Sequence, residues 1–205
     1  MELTYQGMTS LRLRGRDTTV HIDPPQASLP GLGKSGRDLV VRTEGPTDPE
    51  KLREREGHIQ EVSGPGEFEL RGVSIYGMAA GGTTVMRVEL DDIRVVAIGR
   101  LNRQLTEDEI DALGHVDVLV VPVGGGDALS ATEATKLVNA VEPAIVVPSR
   151  FNTGSAGELE PVDKFAKEMG LAEGAWQMQP KLNLTTAPAH GEAVAVVILE
   201  PRGAG

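Results

Sequence analysis

Few residues of this chain have the type and spacing to do chemistry. The four histidines are His21, His58, His115 and His190, and none lies within five positions of another. Imidazoles that share one ion from a single loop sit close together, as at i and i+2, so this spacing reads as separate surface or capping residues. Cysteine is absent, which excludes disulfides, thiolate metal sites and thiol nucleophiles. The run VVRTEGPTDPEKL, residues 40–52, leaves an apolar stretch for a loop with Thr43 and Asp48. Loops that leave buried strands are where α/β enzymes place ligands and catalytic groups. Here Glu44, Pro46 and Pro49 stand where a metal site would want imidazoles. Gly124-Gly125-Gly126 offers backbone N–H groups, but no GxxxxGK[ST] follows, so it is not a P-loop. Ser149 stands at a strand end as a conceivable nucleophile, yet no GxSxG is present and no histidine has a spacing that makes it the base.

The elements that position these residues read as strands first and helices later. Alternation over 10–14 and 18–23, broken at Gly15-Arg16-Asp17, predicts a hairpin. Residues 24–38 are rich in Pro, Gly and Ser and read as a flexible loop. Residues 38–43 read as a buried strand, 48–56 as a short exposed helix, and 66–78, 83–90 and 93–99 as three strands. Thr106 and Glu109, then Ser130 and Glu133, stand in capping-box spacing and open two helices. Residues 116–126 and 144–151 read as buried strands, 158–170 as a third helix, and 181–187 and 193–200 as closing strands. The tail 201–205 reads as disordered. No linker splits the chain, so residues 1–205 read as one domain, two packed sheets with helices outside.

Composition sets the class. Forty per cent of the 205 residues are apolar and 3 % aromatic, so a core must come from Val, Ile, Leu and Ala. A net charge of −10 argues against nucleic acid or an anionic membrane as partner. No apolar run reaches membrane-spanning length, and the opening MELTYQGMTS is not a signal peptide, so a cytoplasmic location is expected.

The order of motifs resembles the metallo-β-lactamase superfamily, in its ascorbate-6-phosphate-lactonase-like branch of zinc-dependent-hydrolase-like proteins. LTYQGMTSLRL is similar to the opening strand, with Gly7-Met8-Thr9 where the family has Gly-His-Ser. Asp23-Pro24, the segment SGPGEFELRGVSIYGM, and the stretches from Ala97 to Gly126 and Pro143 to Phe151 match further family segments. The resemblance implies a metallo-β-lactamase-type αβ/βα sandwich of two mixed sheets, with a cleft along one edge. It also implies a homo-oligomer.

The family's metal motif does not carry over. Its Thr-His-x-His-x-Asp-His run is here Thr43, Glu44, Gly45, Pro46, Thr47, Asp48, Pro49. Its bridging aspartate is Arg100 and its last histidine Arg150. The former metal positions are therefore Glu44, Pro46, Asp48, Pro49, Arg100 and Arg150. A guanidinium about 4 Å from a dication would be repelled by on the order of 8 kcal/mol at an effective dielectric near 20. No metal and no cofactor are expected. Arg100, Arg103 and Arg150 read in two ways. With the Gly124 and Gly125 amides they suit a phosphate or carboxylate, or they pair internally with Glu44, Asp48 and Glu67. If Arg100 or Arg150 bridges Glu44 or Asp48, removing it is expected to cost a few kcal/mol. Two functions follow from the resemblance. One is a non-catalytic binding domain for an anionic small molecule, a protein partner or its own copy. The alternative is a hydrolase with a degenerate or relocated site, acting on a phosphorylated or lactone-type molecule.

Overall fold

Alternating and fully apolar runs fold into two sheets. A computed structural model describes residues 1–25, 28–29, 32, 37–46, 59–154, 158–191 and 193–202. The first sheet takes β1 (Glu2–Gly7), β2 (Ser10–Arg14), β3 (Thr19–Ile22), β4 (Asp38–Arg42), β5 (Gln60–Ser63) and β12 (Leu182–Asn183) in the order β12-β1-β2-β3-β4-β5. The second takes β6 (Gly66–Leu70), β7 (Val73–Ala80), β8 (Thr83–Leu90), β9 (Ile93–Ala97), β10 (Val118–Pro122), β11 (Ile145–Ser149) and β13 (Ala195–Val196) in the order β13-β11-β10-β9-β8-β7-β6. Both sheets are mixed: β6 to β9 run antiparallel in succession, whereas β9, β10, β11 and β13 are parallel. This is the αβ/βα sandwich that the resemblance implies.

Every residue of β10 and β11 is buried, because both faces are covered. Three helices complete the described elements: α1 (Glu107–Leu113), α2 (Ala131–Val141) and α3 (Val162–Glu168). The capping boxes at Thr106/Glu109 and Ser130/Glu133 both form and set the starts of α1 and α2. The helix α2 buries Ala131, Ala134, Leu137 and Val138 and packs on β10 and α3. One hydrophobic cluster joins Leu11, Leu13 and Val41 of the first sheet to Val85, Val96 and Val121 of the second.

Several predicted boundaries shift for local reasons. Residues 66–78 form two strands, not one, because Arg71 and Gly72 both take positive φ and make a turn. The helix predicted over 158–170 is only Val162–Glu168. Pro161 forces extended backbone before it, and Glu160 spends its N–H on Gly124 O and its carbonyl on Asn152 N. The closing strands, predicted over 181–187 and 193–200, pair over only two residues each, at the edges of the two sheets. β5 carries no apolar alternation and escaped the sequence reading. The helix expected over 48–56 lies outside the described residues, as do much of the 24–38 loop and residues 203–205 of the tail.

Candidate functional site

The loops after β4, β9, β10 and β11 meet at one sheet edge, where the resemblance places a cleft. Thr43 anchors it. Its N–H and hydroxyl both donate to the Asp23 carboxylate, at 2.8 and 2.5 Å. Its carbonyl accepts from Thr84 N at 2.7 Å and Thr83 Oγ1 at 3.0 Å, which ties the two sheets together. Desolvation pushes the Asp23 carboxyl above its ordinary value, against the two Thr43 hydrogen bonds. Asp23 is thus a tether between the ends of β3 and β4. Gly99 sits over Thr43 with φ +55°, and a Cβ there would strike the Thr43 side chain.

The two arginines that the resemblance sets at the family's ligand positions converge on one carboxylate. Arg100 Nε contacts Glu44 Oε1, and its Nη1 lies 3.0 Å from Asp127 Oδ2. Arg150 Nη2 contacts the other oxygen, Asp127 Oδ1. Arg150 is only 8 % exposed, whereas the Asp127 side chain is 56 % exposed. Arg150 has φ +51°, and its N–H is shared between Met8 O and Tyr5 Oη, each at 3.0 Å. Tyr5 Oη donates to Met8 O at 3.1 Å, and burial pushes its pKa up to about 12, so it remains a phenol. Arg150 Nε and Ser10 Oγ are buried without a hydrogen-bond partner among the described residues.

The other residues singled out from the sequence are committed elsewhere. Arg103 forks onto Glu109, both contacts 2.7 Å, at the start of α1. Gly125 donates its N–H to Leu129 O at 3.0 Å, and Gly124 is a close-approach position whose Cβ would meet Arg150 O. Pro46 is described but has no side-chain donor, and Asp48 and Pro49 lie outside the described residues. Arg100 and Glu44 are both partly exposed, so breaking that bridge costs less than the few kcal/mol expected of a buried pair. The sequence reading did not name Asp127. Its place directly after three glycines was the available signal.

This edge does not fit the dinuclear metal site of the resemblance. Glu44 and Asp127 are taken by guanidinium groups, Asp23 by Thr43, and Glu160, beside Gly125, by Lys164 through one oxygen while its Oε2 is buried without a hydrogen-bond partner among the described residues; His21, His115 and His190 pair elsewhere. At the opposite ends of the same parallel strands the histidines are not separate, as their spacing suggested. His115 Nε2 lies 3.0 Å and His190 Nε2 3.6 Å from the same oxygen, Asp117 Oδ1, with the two rings edge to face at 4.7 Å. Strand order brings them together: His115 precedes β10 and His190 precedes β13, on either side of β11. His21 instead pairs with Asp38 at 2.9 Å.

Comparison with known proteins agrees with this architecture. Residues 2–150 match the model of the beta-lactamase superfamily domain. A UPF0173 protein of Pyrococcus furiosus is 43 % identical over 56 residues, which is 27 % of this chain and 25 % of that protein. The match therefore spans about a quarter of that relative's length. Among solved structures, a candidate Zn-dependent hydrolase of the metallo-β-lactamase superfamily from Thermotoga maritima superposes with a TM-score of 0.78, at 23 % identity, over 97 % of this chain and 98 % of that one. A metallo hydrolase from the archaeon Ignicoccus hospitalis superposes with a TM-score of 0.64, at 19 % identity, over 98 % and 95 %. Among the described residues, no helix is long and apolar enough to cross a membrane.

Proposed function

We propose that this chain, which belongs to the beta-lactamase superfamily, works by binding an anionic small molecule or partner carboxylate and not by metal-dependent hydrolysis. One observation carries the reading: two guanidinium groups, one of them buried, close on a single half-exposed carboxylate, Asp127, at the edge to which the resemblance assigns the family's metals. Asp127 is a stand-in ligand. It can swing toward solvent and leave Arg100 and Arg150 facing a phosphate or carboxylate, the anions that a planar guanidinium fork suits. Arg150 Nε supplies one more donor that no described residue uses. Arg103 and the Gly125 amide are engaged elsewhere and take no direct part in this proposal.

The test is a thermal-shift and calorimetric titration with inorganic phosphate and acetate, against chloride at equal ionic strength. Saturable stabilisation in the wild type, lost in Arg150→Gln, is the expected result. A response equal to that of chloride overturns the proposal. So does metal-supplemented turnover of phosphorylated or lactone substrates that is abolished by Arg100→Gln, because that would return the hydrolase alternative to this edge. The chain is also proposed to self-associate. Light scattering should give at least twice the monomer mass of 21.7 kDa, and a monomer mass removes that part.

A further inference from the structure

A second cluster of side chains has donor chemistry that the arginine edge lacks. Asp117 sits immediately before β10 and is 1 % exposed. Its Oδ2 accepts the Arg94 N–H at 2.7 Å, and its own backbone donates to Arg94 O at 3.1 Å and accepts from Ile145 N at 2.9 Å. The carboxylate is thereby fixed, with Oδ2 engaged by a backbone N–H and Oδ1 left to the two imidazoles. Two imidazoles approach that oxygen, His115 at 3.0 Å and His190 at 3.6 Å. The first distance is a hydrogen bond, but the second is too long for one. Two rings therefore aim the same nitrogen at one oxygen that satisfies only one of them.

The spacing has another meaning. Ligands about 2.0–2.1 Å from a tetrahedral ion stand roughly 3.3 Å from one another. The two nitrogen–oxygen distances bracket that edge length, and all three donor atoms lie within 4.8 Å of one another. Two imidazoles and a carboxylate are a zinc-type donor set, in which a backbone hydrogen bond to the ligating carboxylate orients it. His115 is 50 % and His190 38 % exposed at the side chain, so solvent reaches the site and a water can complete four-coordination. The chain's net charge of −10 favours a cation.

We propose that His115, Asp117 and His190 form a divalent transition-metal site, of zinc type, at the N-terminal ends of β10 and β13. The ion clamps the segment before β13 onto the rigid start of β10. That segment needs a clamp, because β13 pairs over only two residues, Ala195 and Val196. The site is remote from the arginine edge and independent of the anion proposal.

The full chain, stripped with chelator and dialysed, is titrated with Zn²⁺ by calorimetry and with Co²⁺ by visible absorption. The expected result is one saturable equivalent, tetrahedral Co²⁺ bands, and slower proteolysis of the C-terminal segment when metal is bound. His190→Ala and His115→Gln each weaken binding by at least about 100-fold. His21→Ala and Arg150→Gln leave it unchanged, and the second of these separates this site from the arginine edge. Both histidine substitutions fall on half-exposed side chains, so the fold survives them. No saturable uptake by the wild type, or full affinity in His190→Ala, overturns the assignment.

Discussion

Replacing Asp127 with alanine tests what the two arginines are for. In the wild type Arg150 is nearly buried and Asp127 half-exposed, so their bridge stands between two measured regimes. Exposed ion pairs contribute about 0–1 kcal/mol. Stranding one member of a fully buried pair costs about 3–5 kcal/mol. Arg100 reaches solvent on its own and loses little. Arg150 cannot, and its Nε already lacks a described hydrogen-bond partner. Asp127→Ala should therefore destabilise by about 2 kcal/mol, midway between the regimes. For a chain of this size that is a fall in Tm of about 4–8 °C. The informative step is rescue. With Asp127 gone, acetate or phosphate can occupy its place on the guanidinium groups. At about ten times Kd, a ligand that binds only the folded state returns about 1.4 kcal/mol, roughly 3–6 °C. Differential scanning fluorimetry at constant ionic strength reads both numbers. If Asp127→Ala melts like the wild type, or gains no more than the wild type from these anions, the arginines are not a charge trap and the reasoning is wrong.

Gly99→Ala should be the most damaging small change at this edge. Its φ of +55° costs an alanine about 1–2 kcal/mol, and the clash with Thr43 adds about 1–3 kcal/mol, against a gain of under about 1 kcal/mol from the stiffer unfolded chain. A loss of about 2–4 kcal/mol should appear in urea unfolding, and a midpoint unchanged from the wild type would show that Thr43 yields freely. The Arg103–Glu109 fork predicts an acid limb. The hydrogen bond from Arg103 first, and then the Thr106 N–H, hold the Glu109 carboxyl down at about 2, below its usual 4.5. A carboxyl depressed in the folded state stabilises above its unfolded value and loses that contribution as pH falls through its folded one. Stability should fall from about pH 5 to about pH 2 more steeply in the wild type than in Glu109→Gln, by circular-dichroism melts. Parallel curves would remove the role given to the fork.

The sequence by itself determined what could be read from neighbours along the chain. The capping boxes at Thr106 and Ser130 form as their three-residue spacing requires, since one helical turn brings the two side chains to each other's backbone N–H. The fully apolar runs 118–122 and 144–148 became the buried parallel strands, because a strand covered on both faces has no need of alternating polar positions. That Glu44, Pro46, Pro49 and Arg150 stand where the resemblance calls for imidazoles, and Arg100 where it calls for an aspartate, was equally legible, because a residue type needs no coordinates. What the tertiary structure decided was pairing across distance. The sequence offered Glu44, Asp48 and Glu67 as counterions, and Glu44 does meet Arg100, but Asp127, which the sequence did not single out, meets both guanidinium groups, because the glycine run after β10 folds back under the end of β11. His115 and His190 looked unrelated, yet the order β13-β11-β10 sets the loop before β13 beside the start of β10. Helix caps are closed by contacts within a single turn, whereas ligand sets and charge traps are closed by sheet order. Sheet order depends on which strands share a core, and no local spacing records that.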